Sequence, residues 1–182
     1  MHTLEWHHPN FTPTDSDFCI EQSFTIRADM YNVMGVPHSQ WNGAYTYPLG
    51  GAGGGDWEAL YPDFLELYET YVVNQTPYSI AISGAYEPGN TEITYDVELL
   101  IDSGIDTTVD NTNMHVELFV SEDSIMSYWS TIDTWEYARY VSRRYITKSA
   151  NNKLPISITS AGESEMFSGT FTLSDAWEHD QV

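Results

Sequence analysis

Tyr78-Ser-Ile-Ala-Ile-Ser-Gly-Ala-Tyr86 and, after a gap of four residues, Thr91-Glu-Ile-Thr-Tyr-Asp-Val-Glu-Leu-Leu-Ile101 share a period of two. Alternation of this kind sends successive side chains to opposite faces, so both stretches read as β-strands. Met114–Val120, Tyr137–Ile146, Leu154–Thr159 and Glu165–Leu173 repeat the pattern, rich in Ile, Val, Thr and Tyr and separated by Gly, Asn, Asp or Ser clusters. Six strands at this spacing predict an antiparallel β-sandwich, with one helical turn at a strand crossing within Ser124–Thr134.

Toward the N-terminus the period is mixed. Leu4-Glu5-Trp6-His7 reads as a short strand, Glu21 to Tyr31 as a helix, and Val33 to Trp41 as an extended segment containing Pro37. Asn42-Gly43 is a hairpin signal, because both residues accept the positive φ of a type I′ turn, and Ala44–Leu49 is the returning strand. The glycine-rich run Gly50–Gly55 leads into Asp56-Trp57-Glu58, with no Lys-Ser or Lys-Thr behind it. Carboxylates there repel phosphate, so the run is a connection and not a phosphate loop. Trp57, Leu60, Tyr61, Phe64, Leu65, Tyr68, Tyr71 and Val72 then recur at three- and four-residue intervals. They predict one core-facing stripe of a helix ending near Val73, with Pro62 in its first turn, where a missing N–H costs nothing. The change of period sets a boundary near Gln75–Pro77, giving units 1–76 and 77–182 and an α+β fold class.

Charge narrows the function. In 182 residues, 27 Asp and Glu face 6 Lys and Arg, a net charge of −21. Such a chain repels a phosphate backbone, which argues against a nucleic-acid partner. The bases other than Arg27 all lie between Arg139 and Lys153. Six Trp and thirteen Tyr are more aromatic side chains than a disordered tail carries. No apolar run approaches ~18 residues, so no transmembrane segment is expected. A single Cys excludes an internal disulfide, a Cys-x-x-Cys redox pair and a thiolate-rich zinc site.

Arg27-Ala-Asp-Met-Tyr31-Asn-Val33-Met-Gly35-Val36-Pro37, followed by Asn42-Gly43, glycines and a helix, resembles the second half of a thioredoxin-like domain. The following strands resemble an immunoglobulin-like β-sandwich, entered through Thr76-Pro77. The combination is similar to secreted and outer-membrane-associated proteins of marine and Bacteroidetes-type bacteria, which implies a secreted or cell-envelope location. The resemblance also implies a cis bond before Pro37 and a peptide-binding backbone at Val36, Pro37 and His38, with His38 where the family often has Thr. The chain departs from the family in lacking the Cys-x-x-Cys segment, and Cys19 matches no catalytic position. These departures read as a fragment truncated at both ends, with Trp177–Val182 leading into a further strand.

No catalytic constellation is legible: there is no Gly-x-Ser-x-Gly elbow, and among 27 acids no carboxylate pair stands out. No cofactor is expected. His2, His7 and His8 cluster, but neighbours on a strand point to opposite faces and cannot easily share an ion. Asp102, Asp106 and Asp110 are weak calcium candidates in an Asp/Asn-rich loop whose composition turn chemistry alone explains. The leading expectation is a non-catalytic binding or structural module with a peptide or protein partner, self-associating through uncovered sheet edges. Two alternatives stand beside it. One is a thiol-disulfide oxidoreductase whose cysteines lie upstream. The other is a glycan-binding module using Trp129 or Trp135.

Overall fold

A computed structural model describes residues 4–6, 21–35, 38–41, 45–47, 57–73, 76–87, 89–104, 108–129 and 133–182. The chain is α+β, and the strand pairs among the described residues are antiparallel. It divides into two units, Glu21–Gln75 and Met1–Ile20 with Thr76–Val182. The N-terminal stretch joins the second unit through Glu5, which bridges Val141 in parallel.

In the first unit, helix α1 spans Glu21–Met30. Asn32, at φ 51°, ends it. The amide of Val33 donates to Ala28 O (2.8 Å) and that of Asn32 to Asp29 O (3.2 Å), a Schellman cap with asparagine in the left-handed position. Strands β1 (Ser39–Trp41) and β2 (Tyr45–Tyr47) form the expected hairpin. Trp41 pairs with Tyr45, however, which leaves three residues between the strands where a two-residue turn would pair 41 with 44. Helix α2, Tyr61–Val72, begins with Pro62 in its first turn, as the sequence predicts.

The stripe on α2 needs correction. Leu60, Phe64, Leu67 and Tyr71 are its half-buried positions, while Tyr61, Leu65, Tyr68 and Val72 are exposed and no residue of the helix is buried. Spacings of four, three and four define one narrow seam, and a wider reading of the stripe takes in the exposed flank. Phe64 meets Trp41 of β1 at 5.9 Å between rings.

The second unit holds nine strands among the described residues: β3 (Tyr78–Ala85), β4 (Glu92–Ile101), β5 (His115–Val116), β6 (Phe119–Glu122), β7 (Ile125–Trp129), β8 (Thr134–Ala138), β9 (Val141–Tyr145), β10 (Leu154–Pro155) and β11 (Ser164–Thr172). β4 is the centre of a three-stranded sheet, β11-β4-β3. Its inward residues Val97, Leu99 and Ile101 pack with Val116 and Ile158 into the main core. Tyr95 sits between two glycines, opposite Gly84 on β3 and Gly169 on β11. A Cβ on Gly169 would run into the Tyr95 ring, so this glycine makes room for the aromatic side chain.

Two sequence-predicted strands and one predicted helical turn change shape. Met114–Val120 splits because it serves two sheets: β5 pairs with β10, and β6 with β9. Leu118 marks the corner, its amide donating to Thr147 Oγ1 (3.0 Å) and its carbonyl accepting from Ile146 (2.9 Å). Leu154–Thr159 contributes only the two-residue β10. Ser124–Thr134, expected to contain a helical turn, instead supplies β7, paired with β8.

Tyr137–Ile146 is interrupted at Arg139-Tyr140, and the interruption is informative. Glu122 faces Val141 and Ile125 faces Ala138, one register running through the break. The strands β6–β7 and β8–β9 are therefore one long hairpin with a bend. Ser124 (φ 57°) and Tyr140 (φ 51°) both take the left-handed conformation there, which breaks the ladder on both sides. Trp177–Val182 contains a short 3-10 turn at His179–Gln181.

Candidate functional site

The bend is held by Asp123. Its Oδ1 accepts from Arg139 Nε (2.6 Å) and from the Tyr140 amide (3.1 Å), and its Oδ2 from Arg139 Nη2 (2.8 Å). The Arg139 guanidinium draws the Asp123 carboxyl down to about 2. The bidentate fork substitutes for the ladder bonds lost at the bend. The two halves of the hairpin then have different surroundings.

The base half, β6–β9, is buried around an ion pair. Val120 pairs with Arg144 and Ser121 with Ser142, so Arg143 is the extra residue of a β-bulge. The bulge breaks the alternation, and Val141, Ser142 and Arg143 are all buried in sequence. It aims Arg143 at Glu122, Nε to Oε2 3.0 Å, with both side chains less than a tenth exposed. Glu122 Oε1 also accepts the Glu178 amide (2.8 Å), and Arg143 lies over the Trp177 ring (5.7 Å). The pair thus ties the C-terminal segment to the hairpin base. On the other side Trp6, Phe119 and Tyr145 form an aromatic cluster with centroids 4.5 to 6.1 Å apart.

Beside that cluster is the nearest approach to a catalytic arrangement. Glu117 Oε1 accepts from Tyr145 Oη (2.6 Å) and Lys153 Nζ (2.5 Å), and Lys153 reaches Tyr145 Oη at 3.1 Å. Burial, then the bond to Glu117, pushes the Tyr145 phenol above its ordinary value. Burial works to lower Lys153, but its bonds to Glu117 and Tyr145 outweigh it and hold the ammonium above its usual range. Both groups thus hold their protons, and the cluster clasps the end of β9 to Glu117 and Lys153.

The tip half, β7–β8, faces the other way. Met126 pairs with Tyr137 and Tyr128 with Trp135, which places the four side chains on one face. Trp135 (58 %), Tyr137 (57 %) and Met126 (44 %) are exposed. The Tyr128 and Trp135 rings lie 5.8 Å apart, tilted by 52°. Tyr128 Oη donates to Asp133 Oδ1 at 2.5 Å, a bond that raises the phenol's pKa and fixes the ring. The opposite face holds Ile125 and Trp129 against buried Ala138 and Val141. The arrangement is an exposed apolar and aromatic platform with Asp133 at its rim.

The sequence-predicted sites fare unevenly. Val36 and Pro37, with the expected bond geometry between them, lie outside the described residues, as do Cys19, His2, His7, His8 and Asp106. His38 is half-buried, and its Nε2 has no hydrogen-bond partner among the described residues. Asp102 Oδ1 accepts the Gly104 amide (2.8 Å) and Asp110 Oδ1 the Thr112 amide (2.9 Å), each within its own turn. The Thr112 hydroxyl and then its amide lower the Asp110 pKa. No group of three His, Cys, Asp or Glu side chains converges on a metal site among the described residues. Of the two tryptophans considered for glycan binding, Trp129 is half-buried in packing and Trp135 projects outward. The reading missed Met126, Tyr128 and Tyr137 as a set, because taking 124–134 as partly helical hides the period of two.

No helix among the described residues is long and apolar enough to cross a membrane. Comparison with protein-family models, with curated proteins and with solved structures finds no match.

Proposed function

We propose that this chain is a non-catalytic binding module of a secreted or cell-envelope protein, working through the outward face of the β7–β8 hairpin. The observation that carries the reading is the platform of exposed Met126, Trp135 and Tyr137 with half-buried Tyr128, on a hairpin whose other half is buried. Exposed aromatic clusters on a rigid element mark binding surfaces. The order helix, hairpin, helix within Glu21–Val72 supports the thioredoxin-like reading of the first unit. The antiparallel sheets around β4 support the immunoglobulin-like reading of the second.

The ligand class that fits the platform is a glycan. A sugar ring offers an apolar face to stack on Trp135 and Tyr128, and hydroxyls for the Tyr137 phenol and Asp133. Neutral sugars also escape the repulsion that a net charge of −21 imposes on anionic ligands. A glycan array tests this: binding by the wild-type chain and none by Trp135→Ala is expected, whereas a blank wild-type array would remove the glycan reading. Release of reducing sugar, or turnover in an insulin-reduction assay, would contradict the non-catalytic part.

A further inference from the structure

We propose that the outer edge of β3 is a strand-addition site for an extended cationic peptide whose apolar and Lys/Arg residues alternate. This surface is separate from the platform, and the inference does not rest on the glycan reading.

Among the described residues β3 bonds to β4 alone, which leaves alternate backbone N–H and C=O groups on its other side for pairing. Edge strands are normally guarded by a Lys, a Pro, a bulge or an inward charge. Tyr78–Ala85 has none of these: it is uncharged, free of proline, and pairs with β4 in an uninterrupted register from Tyr78–Ile101 to Ala85–Thr94. An unguarded eight-residue edge fits recognition by added strands, where main-chain bonds give affinity and side-chain alternation gives specificity.

The two faces of β3 say what the added strand carries. On the inner face Ile80 and Ile82 are 59 % and 72 % exposed, although their row partners Leu99 and Val97 are 2 % and 1 % exposed. The layer that covers β4 stops short of β3. Ile82 and Gly84 instead border a cavity of about 390 Å³, with Phe119, Val120 and Ile146 among its other walls. Apolar side chains of an incoming strand would extend this face and cover the isoleucines. On the outer face β3 presents only Ser79, Ala81, Ser83 and Ala85, and behind them on β4 stand the exposed carboxylates of Glu98, opposite Ala81, and Asp96, opposite Ser83. Asp96 receives the Ser168 hydroxyl, while Glu98 has no ion-pair or hydrogen-bond partner among the described residues. The added strand lies two strand spacings from β4, about 9.5 Å, a gap that Lys or Arg can narrow by lying across a Ser or Ala.

Charge decides between occupants. A second copy pairing through its own β3 brings no cation to Glu98 and sets −21 against −21. A peptide with outward Lys or Arg supplies both the charge and the apolar inner row.

The test uses the full chain and two fluorescent eight-residue peptides of equal composition, one alternating lysine and valine, the other with lysines and valines in separate blocks. The alternating peptide is expected to bind about tenfold tighter, with that advantage lost in Ile82→Lys and reduced about threefold in Glu98→Gln. N-methylation of the alternating peptide on one set of alternate amides is expected to abolish binding and on the other set to spare it. This arm uses the unmodified protein and stands if Ile82→Lys fails to fold. Equal binding of both peptides would reduce the effect to bulk charge and overturn the proposal, as would indifference to both methylation patterns. A dimer in light scattering that Ile82→Lys dissolves would give the edge to a second copy and overturn it too.

Discussion

The two halves of the bent hairpin share a register and have opposite fates. In β6–β9 an inward bulge draws Arg143 onto Glu122 beneath the C-terminal segment, while in β7–β8 Met126, Trp135 and Tyr137 are exposed beside half-buried Tyr128. Hydrophobicity alone would bury the tip and not the base, since the tip strands carry four aromatic residues to the base's two. What separates them is the Asp123–Arg139 joint, where two left-handed residues bend the ribbon. The lesson is that a buried charge can mark structure, and an exposed tryptophan can mark function.

The largest expected effect is in the base. Glu122→Ala strands the Arg143 charge and the Glu178 amide without their acceptor, and is expected to cost about 3–5 kcal/mol in urea unfolding. The double variant Glu122→Leu with Arg143→Met is expected to recover most of that loss. If it does not, the pair holds the C-terminal segment by more than charge balance. Gly169→Ala is expected next, at about 1–3 kcal/mol, because the new methyl group meets the Tyr95 ring. Trp135→Ala, on the tip, is expected to change stability by less than about 1 kcal/mol. A Trp135→Ala variant as unstable as Glu122→Ala would erase the contrast between the halves.

The joint gives a pH prediction. Asp123 titrates lower in the folded chain than a free carboxyl does, about 2 against an ordinary ~3.9, so its contribution is present above the higher value. That contribution fades as pH falls from about 4 through 2, as the proton displaces the Arg139 fork. Protection of the Tyr140 amide, its exchange relative to an unstructured amide at the same pH, is therefore expected to fall over that window in the wild type. In Asp123→Asn protection is expected to be low throughout. A wild-type amide that stays protected at pH 2 would show that the bend holds without the carboxylate.

Much of the sheet is visible in sequence because β3, β4 and β11 keep a strict period of two, and one face of β4 is buried. The boundaries fail where a run of strand-like residues serves two partners, as at Leu118, or crosses the joint, as at Tyr140. Left-handed Ser, Asp and Tyr are seldom anticipated, since glycine or asparagine is the usual signal. The platform was half-legible: Trp135 stands out by composition, but its companions emerge only once β7 is a strand. On α2, Leu67 was passed over although its spacing from Phe64 and Tyr71 places it on the inner seam.

The central claim, that the outward face of the hairpin tip is the binding surface, is tested most directly by affinity electrophoresis through gels containing soluble polysaccharides, run on the wild type, Trp135→Ala and Ile82→Lys together. The account predicts that at least one neutral polysaccharide retards the wild type and Ile82→Lys equally, while Trp135→Ala runs unretarded. Retardation of all three alike, or of none by any polysaccharide, would contradict it.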